Sequence, residues 1–261
     1  MKHSRNESVL RAFMIIEYLA ESDEWVGLRL LAKDLDLVPS TAHRFLTSLK
    51  DLGYVQQHPE NSRYQLTLKF AWVASLVLER TKLRQIARSW MDHLTKISNE
   101  TTHLAVLEGQ EIVYIDKVDN DQAVKMRSRI GTRGHFHSTA VGKSMLAFLP
   151  EKERERILED LHLIPLTKNT ITDPAKLAAN LDTIRSRGYS VDDEENEVGI
   201  RCVGVPVFDH AGRVAGAVSI SGWTITMTQE RLPQLGSILQ DACKKISKEL
   251  GFEYHVNGRK E

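Results

Sequence analysis

The sequence predicts an α+β protein in two parts. These are a three-helix head with a β-hairpin over 1–67, and a larger domain with an antiparallel sheet over 98–261. A helical linker region over 68–97 joins them. Three observations carry the prediction. Apolar residues recur at helical spacing up to residue 52, then alternate in two short runs around a polar turn. A stretch with neither Gly nor Pro follows. Beyond it, strand-like segments stand before and after a helical middle, the grouping of an α+β domain. At 261 residues the chain is long for one domain and comfortable for two.

Ser8 to Glu21 reads as the first helix, with Val9, Phe13, Ile16 and Leu19 or Ala20 on one inward stripe. Leu28–Leu35 is a short second helix that turns Leu28, Leu31, Ala32 and Leu35 inward. Asp36-Leu37-Val38-Pro39 leads into a third, from about Ser40 to Leu52. Pro39 suits its first turn, where a missing N–H costs nothing, and Gly53 suits its C-terminal cap. Tyr54–Gln57 and Arg63–Leu66 then read as strands around the polar turn His58–Ser62. Three helices followed by a hairpin is the winged helix-turn-helix plan.

From Leu68 to Ile97 the chain reads as helix, apolar around most of its circumference between Phe70 and Leu78, so packing against another subunit is expected. Strands are expected at His103–Leu107, Glu111–Lys117, Val124–Ile130, Tyr189–Asp192, Arg201–Phe208 and Arg213–Ser221. The turn Asp209-His210-Ala211-Gly212 joins the last two as a hairpin. Helices are expected near Ala140–Leu149, Glu151–Leu161, Pro174–Arg187 and Gln229–Leu250.

Composition sets bounds on function. Hydrophobic residues at 41% and charged residues at 27% are the mix of a globular protein. Lys plus Arg and Asp plus Glu balance at 35 each, and residues 1–70 carry nine of each sign. A DNA-binding surface here must therefore segregate its positive charge in space. Two cysteines, Cys202 and Cys243, fit a reducing cytosol better than a disulfide framework. The polar N-terminus does not resemble a signal peptide, and the longest apolar run falls short of the ~20 residues that span a bilayer. A cytoplasmic protein without a membrane partner is expected.

The third helix carries the clearest chemistry. Ala42, Phe45, Leu46 and Leu49 share the inward face, while Ser40, Thr41, His43, Arg44, Thr47 and Lys50 occupy the other. Short hydrogen bonders with one Arg and one Lys suit a major groove, where Arg makes two bonds to guanine and hydroxyls reach phosphates or base edges. Arg63 in the wing, with His58 beside it, is placed to grip neighbouring phosphates.

These residues also carry a family likeness. Ser40-Thr41-Ala42-His43-Arg44-Phe45-Leu46, with Leu49 and Gly53-Tyr54-Val55, resembles the recognition helix of IclR-type transcriptional regulators. Further matching blocks are Tyr64–Lys69, His137–Lys143 and Asp193–Cys202, which together cover nearly the whole chain in the family's order. The resemblance implies a winged helix at the front and a GAF-like effector-binding domain at the back. It also implies a homodimer or homotetramer on a near-palindromic double-stranded DNA operator, and regulation rather than catalysis, with no cofactor. Lys125–Gly131 and Gly204–Asp209 are most similar to sugar-acid-responsive members such as the 2-keto-3-deoxygluconate regulator. In that comparison Arg127 or Arg129 is a candidate partner for a carboxylate.

Gly142-Lys143-Ser144 invites comparison with a phosphate-binding nucleotide loop, but the glycine that motif needs five residues earlier is His137 here. Thr139–Val141 instead reads as a helix start, whose free N–H groups and dipole suit a small carboxylate. Alternation puts Ser219 and Ser221 on one face of an apolar strand, where two buried hydroxyls need partners. Asp192 is suited to accept hydrogen bonds from ligand hydroxyls. The resemblance assigns the effector pocket to Ala140, Val141, Asp192, Cys202, Ser219 and Ser221. Two other functions compete. His103, His135, His137 and Cys202 are the residue types of a metal site or a Cys–His nucleophile, although their spacing supports neither. A sensor whose winged helix contacts a protein partner is the other.

Overall fold

In the computed structural model the described residues are 6–79, 82–109, 111–121, 128–253, 255–256 and 259–260. The chain divides into two compact units, Met1–Arg80 and Thr81–Glu261.

The first unit opens with α1 (Glu7–Glu21), α2 (Leu28–Asp34) and α3 (Pro39–Asp51). The antiparallel wing of β1 (Val55–Gln57) and β2 (Tyr64–Leu66) follows, and α4 (Lys69–Glu79) closes the unit. Local chemistry sets the ends of these elements. The Asn6 side chain caps α1 by accepting from the N–H groups of Ser8 and Val9. Pro39 sits in the first turn of α3. At the other end Gly53 adopts φ +77°, and the N–H groups of Gly53 and Tyr54 bond Lys50 O and Leu49 O. That pattern is a Schellman cap, which favours glycine because a Cβ is strained at positive φ. Val26 forms an isolated antiparallel bridge with Tyr64 of β2.

The core of this unit gathers Ile15, Leu19, Leu31, Ala32, Ala42, Leu46, Leu49, Val55 and Tyr64. One expectation needs correction. On α1 the buried residues are Ile15 and Leu19, while Val9 and Phe13 are 51% and 56% exposed. Apolar residues occupy two sides of this helix, and the side that carries Val9, Leu10, Phe13 and Met14 is left uncovered. Phe45 on α3 is partly buried against the core rather than enclosed by it.

The second unit begins with α5 (Lys82–Ser98). The region expected as one linker helix is thus helical over Lys69–Glu79 and Lys82–Ser98, and residues 80 and 81 lie outside the described residues. β3 (Thr101–Glu108), β4 (Glu111–Val118) and β5 (Arg133–Gly134) come next. The helical middle is α6 (Ala140–Phe148), α7 (Glu151–Asp160) and α8 (Pro174–Arg187). Then come β6 (Ser190–Asp193), β7 (Ile200–Phe208), β8 (Val214–Trp223) and α9 (Leu232–Glu249). A short pair, β9 (His255–Val256) and β10 (Arg259–Lys260), follows. The expected strand Val124–Ile130 falls mostly on residues outside the described ones, and Arg127 with it.

The sheet is six-stranded and antiparallel throughout, in the order β5-β4-β3-β8-β7-β6. Helix α6 packs on β7, β8 and β6 and against α8. The pair α5 and α9 packs together and also against the sheet. Phe136, Val141, Met145, Leu146, Leu177, Leu181 and Ile184 join Ala105 and Ala217 of the sheet in one apolar cluster beneath α6. Helices flanking one antiparallel sheet is the architecture implied by the GAF-like expectation. None of the helices among the described residues is long and apolar enough to cross a membrane.

Candidate functional site

Two surfaces bear chemistry. On α3 the inward face is Ala42, Leu46 and Leu49, so the helical period forces the remaining side chains outward. Ser40, His43, Arg44 and Lys50 are exposed, and Thr41 and Thr47 are partly buried. The Arg44 guanidinium lies 5.7 Å from the centre of the Phe45 ring. Lys50 Nζ donates to Gln57 Oε1 at 3.3 Å, which ties the helix to the wing. Arg63 is exposed at the wing tip, in a turn where Ser62 adopts φ +55° and the Asn61 side chain accepts from the Arg63 N–H. His58 is partly spent on structure. Its ring packs edge-on against Trp25 at 5.0 Å, and its Nδ1 accepts from the Glu60 N–H.

The second surface is a cavity in the larger unit, and the sheet register builds it. Directly paired residues on neighbouring strands point to the same face. Asp192 pairs with Cys202, Cys202 with Ser221, and Ser221 with Thr101, a polar row across four strands. The next row on that face runs from Ser190 through Gly204 and Ser219 to His103. Gly204 is glycine for a spatial reason, because a Cβ there would stand 2.6 Å from the carbonyl carbon and oxygen of Ala140. Its absence lets the first turn of α6 lie directly on the sheet, where the Ser190 hydroxyl donates to Ala140 O at 2.6 Å.

The first turn of α6 borders the cavity through Thr139, Ala140 and Val141. Thr139 is the N-cap, its hydroxyl oxygen accepting from Gly142 N at 3.1 Å. Among the described residues no group takes the N–H of Ala140 or Val141. The cavity has about 70 Å³ of room for the centres of water-sized molecules, space for several waters. All six residues expected at the effector pocket line it: Ala140, Val141, Asp192, Cys202, Ser219 and Ser221. The two serine hydroxyls lie 3.3 Å apart, and both side chains are buried. Arg129, the other residue expected to meet a carboxylate, is exposed and does not line the cavity.

Electrostatics sharpen the picture. Burial raises the Asp192 carboxyl to about 7, with Glu195 adding to the rise; Lys143 and the N–H groups of Glu195 and Asn196 oppose it. Burial, reinforced by Asp192, pushes the Cys202 thiol well above its ordinary range, so it holds its proton and is no nucleophile at neutral pH. His137 is buried with Nε2 3.0 Å from Ile164 O, an arrangement that fixes the 162–166 segment rather than a metal. Lys143 has neither the position nor the freedom of a nucleotide-loop lysine. It is fully buried and ion-paired to Glu195 Oε1, and a Cβ at the adjacent Gly142 would lie 2.6 Å from Thr139 Oγ1 and 2.7 Å from Phe136 Cα. The glycine there serves close packing.

Sequence reasoning missed part of the cavity wall. His103 was weighed only as a metal or catalytic residue, and Tyr114, Ser128 and Asn196 not at all, yet all four line the cavity. Their proximity depends on cross-strand register and loop return, which a single sequence does not display.

Comparison with known proteins settles the family. Residues 8–59 match the IclR helix-turn-helix domain, and residues 75–248 match the bacterial transcriptional regulator IclR C-terminal domain. The chain is 40% identical over 245 residues to the HTH-type transcriptional regulator KdgR of Escherichia coli, covering 94% of this chain and 93% of that one. It is 36% identical over 246 residues to the E. coli regulator XynR, covering 94% and 98% respectively. The crystal structure of Thermotoga maritima IclR superimposes with a TM-score of 0.84 at 39% identity, covering 94% of this chain and 99% of that one. Winged helix, antiparallel sheet and full-length likeness agree: the chain belongs to the IclR family of bacterial transcriptional regulators, which are DNA-binding proteins with a C-terminal ligand-binding domain rather than enzymes.

Proposed function

We infer that the chain is a cytoplasmic repressor of a carbohydrate or sugar-acid catabolic operon, released from its operator by a small carboxylate bound in the larger unit. The observation that carries this reading is the cavity, where a helix start with two unclaimed N–H groups faces a row of buried polar strand residues. The carboxylate takes the N–H groups of Ala140 and Val141, as anions do at helix N-termini. Ser219, Ser221, Cys202 and Asp192 meet the polar atoms next to it. Likeness to KdgR and XynR supports a sugar-acid effector.

At the other end Ser40, Thr41, His43, Arg44, Thr47 and Lys50 enter the major groove, and Arg63 holds phosphate in the wing. The working form is a homodimer or homotetramer on a near-palindromic operator. The uncovered apolar side of α1, and α4 with Trp72 57% exposed, supply surface for such an assembly. Effector binding favours one arrangement of the subunits and so alters the spacing of the paired heads.

Selection of bound duplexes from a random DNA pool tests the reading. Inverted half-sites about one helical turn apart, or a multiple of it, are expected. They should be occupied by at least two chains and released by a sugar acid. A single half-site bound by one chain would contradict it.

A further inference from the structure

Arg63 stands at the tip of a hairpin whose strands are three residues long each, and a ribbon that short does not hold its own shape in water. Its base is secured by the fold. Tyr64 on β2 is 3% exposed and exchanges two backbone hydrogen bonds with Val26, at 2.9 and 2.8 Å. The tip is less protected, with residues 59–63 all exposed. It also contains Ser62 at φ +55°, a left-handed conformation that a residue other than glycine keeps only when its surroundings hold it.

Gln57 is the side chain that reaches this turn from the body of the head. It is half-buried and lies directly opposite Tyr64 in the wing. Its Nε2 donates to Ser62 O at 3.2 Å and to the Tyr64 hydroxyl at 3.1 Å. Its Oε1 accepts from Lys50 Nζ of α3 at 3.3 Å. One amide thus joins the outward face of α3, the buried Tyr64 and the carbonyl next to Arg63. The other side of that peptide is held as well, since the Arg63 N–H donates to Asn61 Oδ1 at 3.1 Å.

We propose that Gln57 is a positioning residue for operator binding. It fixes the Ser62–Arg63 peptide relative to α3, so that Arg63 meets a phosphate at a set distance from the groove that α3 reads. Without the link the tip would have to be ordered at each encounter, which costs affinity. This rests on the reading of α3 and the wing as the two contacts with DNA, and it adds the residue that sets their spacing.

The test is fluorescence anisotropy of the full chain on a duplex selected from a random pool, repeated over a range of salt concentrations. In Arg63→Ala each of two heads loses one phosphate contact, so the log–log slope should become shallower by about two. Gln57→Leu keeps the bulk of the side chain and removes its amide. It should make the slope shallower by about one to two although Arg63 is present, and adding Arg63→Ala should change it little further. A purely structural role would lower the melting temperature of Gln57→Leu and leave the slope at the parent value. That result overturns the positioning role while the wing contact stands. Gln57→Asn keeps the amide but withdraws it by one carbon, and it decides the question in the same way if the leucine variant does not fold. A parent-like slope in Arg63→Ala would show that the wing grips no phosphate, and the role of Gln57 falls with it.

Discussion

Arg44, Asp192 and the Lys143–Glu195 pair show how burial decides what a charged side chain does. Arg44 is exposed, with its guanidinium 5.7 Å from the centre of the Phe45 ring. Arg44→Ala should weaken binding to a selected operator by about 1–3 kcal/mol, the scale of one bidentate base contact, as read by fluorescence anisotropy. Lys143 is the opposite case. It is fully buried, and among the described residues its ion pair is with Glu195. Glu195→Gln should cost about 3–5 kcal/mol in a denaturant melt because an unpaired ammonium stays buried. Replacing both partners with apolar residues should cost less than the single change.

Asp192 sets a pH dependence whose sign follows from its raised carboxyl. Held at about 7 when folded, against 3.8 for the ordinary group, it binds more protons in the folded chain than in the unfolded chain between those values. Its contribution to stability is therefore fully present below about pH 4 and is lost as pH rises through 7. Asp192→Asn removes the titration, so it should raise the melting temperature relative to the parent chain more at pH 8 than at pH 5. Equal shifts at both pH values would show that Asp192 is ionised throughout. The near wall of the cavity was legible because alternation aligns Ser219 with Ser221 and the family likeness assigns Ala140, Val141, Asp192 and Cys202 to the same pocket. The far wall was not, since the nearness of His103, Tyr114 and Ser128 depends on which strands pair and in what register.

Element boundaries in the first unit were legible because single residues mark them. Pro39 opens α3 and Gly53 closes it, and both marks act within one turn of the chain. Gly53→Ala should destabilise the unit by about 1 kcal/mol through strain at positive φ, measured by thermal unfolding. The inward stripe of α1 was misread, for a physical reason. A helix with apolar residues on two sides has a clear period but no indication of which side meets the core. Val9 and Phe13 fit the stripe as well as Ile15 does, and only packing with α3 and the wing distinguishes them. In the second unit the decisive element is the start of α6 on Gly204. Gly204→Ala should displace that turn, because the added carbon meets backbone atoms of Ala140 rather than a movable side chain. Loss of carboxylate binding with the first unit still folded is the expected result.

For the molecule as a whole, neutrality is the feature to explain. A chain with 35 charges of each sign can bind DNA only through local segregation, and Arg44, Lys50 and Arg63 are exposed on one helix face and the wing. Three cations from each of two heads imply a log–log salt slope of about −5 for operator binding. A slope near zero would mean that the winged helix engages a partner other than DNA. The two-part plan was legible from the change in hydrophobic period. The assembly that couples the parts was not, because one chain's pattern marks apolar faces without naming what covers them. The central claim is that a cavity in one unit governs DNA binding by the other. Anisotropy of a labelled operator with and without 2-keto-3-deoxy-D-gluconate, in the parent chain and in Ser219→Ala with Ser221→Ala, tests it most directly. The account predicts equal operator affinity without ligand and release by ligand in the parent chain alone; release from both chains would contradict it.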